Sequence, residues 1–190
     1  MTNDKIYIFD TTLRDGAQTQ GVDFSIDDKI KIAHALDDLG VDYIEGGWPG
    51  ANPTDTEFFQ KNTNLKNSIM TAFGMTKKVG RSADNDPGLS SILNSNTRAV
   101  CLVGKTWDFH VDVALGISKE ENLENISEST KLFVKENKEF MFDAEHFFDG
   151  YKKNKNYAIS CIKSAYDNGA RWIVLCDTNG GTLPNEGSKI

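Results

Sequence analysis

Acidic, basic and hydroxyl side chains recur directly after short apolar runs of this sequence, and together they could bind a metal ion and an anionic substrate. The residues concerned are Asp10, Arg14, Asp15, Glu45, Lys105, Asp143, Glu145, His146, Asp177, Thr178 and Asn179. Carboxylate oxygens are the ligands that hard cations such as Mg²⁺ prefer, with water or substrate oxygens at the remaining positions. Arg14 stays charged at any working pH and could hold a developing enolate or carboxylate oxygen. The set therefore indicates a divalent cation acting on a substrate that carries a carboxylate.

These side chains need elements that bring separate stretches of the chain together, and the hydrophobic pattern predicts six βα units. Short runs rich in β-branched and aromatic residues predict strands at 6–9, 41–44, 69–73, 99–103, 140–142 and 172–176. Amphipathic periods predict helices over 25–39, 118–135 and 156–168. Ser25 and Ser118 are the expected N-caps, and Gly40 and Gly169 the expected terminators. Strands that alternate with helices indicate a parallel sheet with right-handed crossovers.

Two parallel architectures are open at this point, a doubly wound sheet and a (β/α)8 barrel. The loop after the first predicted strand, DTTLRDG at 10–16, is not the G-x-G-x-x-G of a dinucleotide-binding domain, and no P-loop pattern occurs in the sequence. Polar residues instead follow the carboxyl end of nearly every strand, where a (β/α)8 barrel builds its active site. The sequence therefore favours an α/β fold of the TIM-barrel class.

Composition excludes several other classes of protein. The 190 residues carry 28 Asp+Glu against 21 Lys+Arg, a net charge of -7, so neither nucleic acid nor an anionic membrane is expected as a partner. No apolar run is long enough for a membrane span, and the first residues contain no secretory signal. Cys101, Cys161 and Cys176 form no C-x-x-C, which excludes a disulfide framework and a four-cysteine zinc site. The composition indicates one cytoplasmic domain.

Four segments resemble a known enzyme family. Residues 10–18, DTTLRDGAQ, resemble the D-T-T-L-R-D-G-x-Q segment of the isopropylmalate, homocitrate and citramalate synthase group. That group belongs to a metal-dependent barrel superfamily that also contains hydroxymethylglutaryl-CoA lyase. Three further segments agree with the pattern of this superfamily: residues 43–50 (YIEGGWPG), 142–149 (FDAEHFFD) and 175–184 (LCDTNGGTLP). The last two segments are most similar to the citramalate synthase branch. The resemblance extends from about residue 5 to the last residue.

The resemblance implies a Claisen-type condensation of acetyl-CoA with a 2-oxo acid in branched-chain amino-acid (isoleucine and leucine) biosynthesis. Pyruvate is the expected 2-oxo acid and citramalate the expected product. The resemblance implies that Arg14 polarises the 2-oxo acid carbonyl and that Asp15 is a ligand of Mg²⁺ or Mn²⁺. Glu45 would belong to the substrate-binding set as the partner that orients Arg14. Glu145 would take part in the proton transfer that makes acetyl-CoA nucleophilic, and Thr178 would bind the 2-oxo acid carboxylate. A homodimer is expected, since complete relatives are dimers or larger.

Two features depart from the family pattern. The superfamily's remaining metal ligands form an H-x-H pair on the seventh strand, whereas the three histidines here are at 34, 110 and 146. Six βα units use residues 5–190, while a whole barrel takes about 250 residues. Residues 1–190 are therefore expected to be the N-terminal part of a catalytic barrel domain, with the last two βα units missing and no activity of their own.

Three alternatives stay open. The first is a 2-isopropylmalate or homocitrate synthase, which would use a different 2-oxo acid. The second is a truncated, non-catalytic protein that only binds a 2-oxo acid or a partner. The third is a lyase or aldolase of the same superfamily.

Overall fold

A computed structural model describes residues 5–61 and 63–190, and this part of the chain contains six strands. The strands are β1 (Phe9–Asp10), β2 (Tyr43–Gly47), β3 (Ile69–Met75), β4 (Ala99–Lys105), β5 (Glu139–Glu145) and β6 (Trp172–Leu175). They form one sheet in the order of the chain. The β1–β2, β2–β3 and β5–β6 pairs are parallel. This is the strand order of the first six βα units of a TIM barrel, and the predicted fold class is confirmed.

A helix follows every strand. The helices are α1 (Ile26–Leu39), α2 (Pro53–Gln60), α3 (Pro87–Leu93), α4 (Asp108–His110), α5 (Lys119–Lys135), α6 (Phe147–Lys153), α7 (Lys155–Tyr166) and α8 (Pro184–Gly187). The three helices predicted from periodicity correspond to α1, α5 and α7. The other helices span eight residues or fewer, too few for a hydrophobic period to show. Within the described residues, no helix combines the length and apolarity needed to cross a bilayer.

The described chain divides into two compact units. The first unit comprises the described residues up to Gly74 together with Ser90–Cys101, and its core contains Leu13, Ala33, Val41, Ile44 and Phe58. Helix α1 begins as predicted at Ser25, whose side chain accepts from the Asp28 N–H while the Asp28 carboxylate accepts from the Ser25 N–H. Helix α1 ends at Gly40, which has the left-handed φ of 87° that glycine adopts without strain. Between these ends, α1 packs on β2 and buries Ala33 in the core of the first unit.

The second unit comprises Met75–Leu89 and Leu102–Ile190. Helix α5 begins at the predicted cap Ser118, which accepts from the Glu121 N–H at 3.1 Å. Helices α5 and α7 pack on each other and on β5. The rings of Phe133 and Phe140 stack there with centroids 6.0 Å apart. This packing holds β5, whose last residue is the predicted site residue Glu145.

The first strand is shorter than the sequence predicts. The run 6–9 predicts a strand, but the paired strand β1 begins only at Phe9, and Ile6 is 83% exposed. The Asp42 carboxylate accepts from Lys5 and from the Ile8 N–H at 2.9 Å, so a side chain takes the place of a backbone acceptor for that N–H. The Ile8 carbonyl still accepts from the Tyr43 N–H at 3.0 Å. β-branched residues alone cannot reveal this, because the competing acceptor is over thirty residues away in sequence.

Candidate active site

Arg14 lies in the loop after β1, in a tight turn. The Thr11 carbonyl accepts from the N–H groups of Arg14 and Asp15, at 3.1 and 2.9 Å. The Arg14 Nε donates to Glu45 Oε2 at 2.6 Å, and its Nη1 donates to Asp15 Oδ1 at 3.0 Å. The guanidinium lies 4.0 Å above the centroid of the Phe73 ring. The first unit therefore brings together three of the predicted site residues, with Arg14 held between two carboxylates.

Glu45 is fully buried on β2, where its charge is matched by Arg14. A Cβ at the next residue, Gly46, would lie 2.7 Å from the Met70 Sδ and 2.8 Å from the Phe58 Cε1, so any larger residue would force both side chains to shift. Gly47 has a φ of 144°, and a Cβ on it would lie 2.5 Å from the Asp55 Cγ. The two glycines after Glu45 are therefore required by close packing around the strand end.

A buried ion pair that the sequence analysis missed supports this strand end. Lys29 of α1 is only 2% exposed; its Nζ contacts the Asp55 carboxylate and donates to the Gly46 carbonyl at 2.9 Å. The Asp55 Oδ2 also accepts from the Trp48 N–H at 2.8 Å and from the Asn52 side chain at 2.9 Å. The sequence did hold a signal for this pair, because Lys29 lies within the apolar stripe of α1. A lysine at a buried position indicates an acidic partner, since charged side chains are almost never fully buried unless they are paired.

Asp15 is placed differently from Glu45, because its side chain is 63% exposed. Its Oδ1 accepts from Arg14, and the rest of the carboxylate faces solvent, from which a cation could reach it. An exposed, ionised carboxylate is the donor type that Mg²⁺ and Mn²⁺ take, usually with several waters or substrate oxygens. The geometry of Asp15 thus fits the predicted role in metal binding. The neighbouring predicted residue Asp10 instead accepts from Thr12 and caps its own turn.

Glu145 ends β5 in the second unit and forms an ion pair with Lys105, which ends β4. The Thr106 N–H and hydroxyl both donate to the Glu145 carbonyl, at 3.2 and 2.7 Å. The Asn122 amide donates to the Lys105 carbonyl at 2.9 Å. The backbones on both sides of the ion pair are therefore fixed. Lys105 was predicted at a strand end, without an assigned role.

Thr178 follows β6, and its hydroxyl oxygen accepts from the His146 N–H at 2.9 Å. His146 has a left-handed φ of 55°, which turns its N–H toward Thr178, and its Nδ1 lies 3.1 Å from Asp149 Oδ2. Asp177 accepts from the Thr182 N–H and hydroxyl, and the backbone hydrogen bond lowers the pKa of Asp177. The loop that carries Thr178 is thus tied to the residue after Glu145.

His110 and His146 lie edge to face, with ring centroids 4.3 Å apart, and both contact the Trp107 ring. Burial lowers the pKa of His110, and the charges of His146 and Lys105 lower it further. An imidazole with a lowered pKa is neutral at pH 7. The three rings thus form one cluster, which joins residues 107 and 110 to residue 146 and which no sequence pattern predicts.

The predicted site residues thus lie in two sets, one in each compact unit. Arg14, Asp15 and Glu45 are joined by direct ion pairs in the first unit. Glu145 and Thr178 are linked in the second unit through the backbone of His146. Their catalytic and binding roles stay predictions.

Comparison with known proteins supports the resemblance that the four motifs indicated. Residues 5–190 match the family described as HMGL-like. The (R)-citramalate synthase of Aquifex aeolicus is 52% identical over 96% of this chain and 35% of that protein, and the (R)-citramalate synthase of Geobacter sulfurreducens is 49% identical over 95% and 35%. Three 2-isopropylmalate synthases are 32–33% identical. The chain thus spans about a third of the length of the curated citramalate synthases that it matches.

A solved structure shows the same fold. The HMG-CoA lyase of Bacillus subtilis superposes with a TM-score of 0.77 at 18% identity, over 96% of this chain and 61% of that chain. At this identity the comparison concerns the fold alone. The resemblance to the isopropylmalate, homocitrate and citramalate synthase group is confirmed by the sequence matches. Since the family match extends over residues 5–190, the chain belongs to the HMGL-like family.

Proposed function

We propose that the protein condenses acetyl-CoA with pyruvate and releases CoA, giving citramalate. The observation that carries the proposal is Arg14, held by the buried Glu45 and the exposed Asp15 within a motif of the synthase group. The identities of 44–52% with (R)-citramalate synthases, against 32–33% with 2-isopropylmalate synthases, support pyruvate as the 2-oxo acid.

Arg14 is placed to receive the charge that develops on the ketone oxygen of the 2-oxo acid. Its side chain is largely buried between Glu45 and the Phe73 ring, and these two contacts restrict the guanidinium to one position. A fixed cation costs no reorganisation when the alkoxide forms, and removing one such donor typically slows an enzyme about 10²–10³-fold. Glu45 balances the buried charge of Arg14 and sets its direction.

Membership of the HMGL-like family implies a divalent metal and a CoA thioester. Asp15 is the residue of the first unit whose exposure and oxygen donors fit a hard cation. When bound, such an ion polarises the carbonyl and carboxylate oxygens of a 2-oxo acid as a Lewis acid. Arg14 fixes one oxygen of Asp15 and leaves the rest of the carboxylate available as a ligand.

Glu145 and Thr178 supply the two remaining functions. The Glu145 carboxylate takes part in removing a proton from the acetyl methyl group, and the resulting enolate carbon attacks the ketone carbon of pyruvate. The Thr178 oxygen accepts from His146, which leaves its own O–H to donate to the pyruvate carboxylate. Hydrolysis of the thioester then releases CoA and makes the condensation irreversible.

The test uses a hybrid enzyme, in which residues 5–190 of this chain replace the matching segment of the Aquifex aeolicus relative. CoA release is measured with acetyl-CoA plus pyruvate, 2-oxoisovalerate or 2-oxoglutarate, for the hybrid and for the 190-residue chain alone. We expect the hybrid to release CoA fastest with pyruvate. A folded hybrid that prefers 2-oxoisovalerate, or that releases no CoA while the parent enzyme does, contradicts the proposal.

Two variants of the hybrid test the roles of the site residues. Arg14→Ala should lower the rate of CoA release about 10²-fold or more, and Glu145→Gln about 10²–10⁴-fold. Arg98→Ala and Glu57→Gln are matched controls, because both side chains are exposed outside the proposed site, and their rates should stay within about twofold. Near-normal rates in the Arg14 or Glu145 variants exclude the assigned roles.

A further inference from the structure

Lys105 and Glu145 form an ion pair whose net contribution to the free energy of folding is expected to be small. Their side chains are part-buried, with exposed fractions of 17% and 24%, so both have lost much of their hydration. Ion pairs at such positions contribute little net stability, because the cost of desolvation offsets the attraction between the charges. The pair ends two adjacent strands of the second unit and includes the residue assigned to proton transfer.

Both partners are anchored through their backbones. The Asn122 amide donates to the Lys105 carbonyl and to the Tyr157 hydroxyl, both at 2.9 Å, which fixes the end of β4 against α5 and α7. Two donors of Thr106 bind the Glu145 carbonyl. With both backbones fixed, the ammonium of Lys105 determines the direction of the Glu145 carboxylate.

We propose that Lys105 is a positioning residue that orients Glu145 for proton transfer, an inference that rests on the proposed function. Lys105 Nζ holds Glu145 Oε2, so that Oε1 receives the proton of the acetyl methyl group. The C–H bond breaks, its electron pair forms the enolate, and Oε1 gains the proton while Lys105 keeps all of its own. Misdirecting a catalytic group by about 1 Å is enough to slow a reaction about 10²-fold.

The test compares Lys105→Met, Lys105→Arg, Glu145→Gln and the double variant Lys105→Met/Glu145→Gln in the hybrid enzyme. Methionine has nearly the length of lysine without the charge, whereas arginine keeps a cation. Lys105→Met should lower kcat roughly 10–100-fold and change the KM for pyruvate less than about threefold, because pyruvate is held by other residues. Lys105→Arg should restore most of the rate. Lys105→Met should have no further effect in the Glu145→Gln background, since Lys105 acts through Glu145.

The matched control is Lys77→Met, which removes a part-buried lysine paired with Glu128 at 3.1 Å in the same unit. Its kcat should stay within about twofold of the unsubstituted hybrid. An active hybrid in which Lys105→Met also stays within twofold, or in which its effect multiplies with that of Glu145→Gln, overturns the inference and leaves the proposed function intact. A folded hybrid that releases no CoA with pyruvate before any substitution overturns the proposed function, and the inference with it.

Discussion

Replacing Lys29 by methionine is expected to destabilise the protein by about 3–4 kcal/mol, the usual cost of leaving one partner of a buried ion pair alone. The Lys29 side chain is 2% exposed, so water cannot replace the lost ammonium beside Asp55. Asp55 keeps two donors, the Trp48 N–H and the Asn52 amide, which keeps the cost at the lower end of the range. The Gly46 carbonyl also loses its donor, which adds about 1 kcal/mol.

The measurements are urea unfolding and thermal unfolding of the 190-residue chain, both followed by tryptophan fluorescence and by circular dichroism. A loss of this size corresponds to a decrease in Tm of roughly 6–15 °C for a protein of this length. Trp48 reports on the affected loop because its N–H binds Asp55 directly. Lys61→Met is the control, since the Lys61–Glu57 pair is exposed and 3.8 Å apart, and it should cost less than about 0.5 kcal/mol.

A double-mutant cycle decides whether the loss comes from the ion pair. Asp55→Asn leaves an amide oxygen that can accept from Trp48, and combined with Lys29→Met it removes both charges. The coupling energy should exceed about 2 kcal/mol in the direction of mutual compensation. If the two losses add within about 0.5 kcal/mol, the loop after β2 is not held by this pair and the reasoning is wrong.

Two further predictions concern titratable groups. Burial of Asp37 opposes ionisation, but backbone N–H groups at 66–68 outweigh it and lower the pKa to about 2. Because the pKa of Asp37 is lower in the folded protein than in the unfolded one, the ionised carboxylate stabilises the fold by about 1–2 kcal/mol after solvent screening. This stabilisation is present above about pH 4 and is lost as the pH falls toward 2. Urea unfolding between pH 5 and 2 should show this loss in the parent and not in Asp37→Asn; equal slopes contradict the assignment. Burial raises the pKa of the Cys161 thiol to about 12, so very little reactive thiolate is present there at neutral pH. Iodoacetamide should therefore label the part-exposed Cys176 before Cys161. Labelling of Cys161 at a similar rate in the native protein refutes this.

The sequence was sufficient to predict an element where residues within that element determine its ends and no distant residue competes for the same hydrogen bonds. Helix α1 was bounded correctly because Ser25 and Gly40 act within their own turns, and the same holds for Ser118 at the start of α5. The positions of β2 to β5 followed from runs of apolar residues that are mostly buried in the two compact units. The location of site residues after strands followed from the geometry of parallel sheets, in which the carboxyl ends lie at one edge.

What the sequence could not reveal depends on partners that are distant along the chain. Lys29 and Asp55 are 26 residues apart and Lys105 and Glu145 are 40 apart, so no periodicity relates either pair. β1 is short because Asp42, on the segment before β2, accepts from the backbone of Ile8. For the first of these contacts the sequence holds a visible trace, because Lys29 lies on the apolar side of α1.

The arrangement of charges distinguishes positioning carboxylates from reactive ones within the candidate site. Glu45 is fully buried and its charge is matched by Arg14, so it can direct that guanidinium but cannot reach a substrate through solvent. Asp15 binds the same guanidinium while remaining 63% exposed, which leaves it able to ligate a cation. The different burial of these two acids thus supports the different roles proposed for them, and the tight turn after β1 and the two glycines after Glu45 surround the two side chains. The chemistry proposed for Arg14 therefore depends on the packing of the first unit as much as on the motif itself.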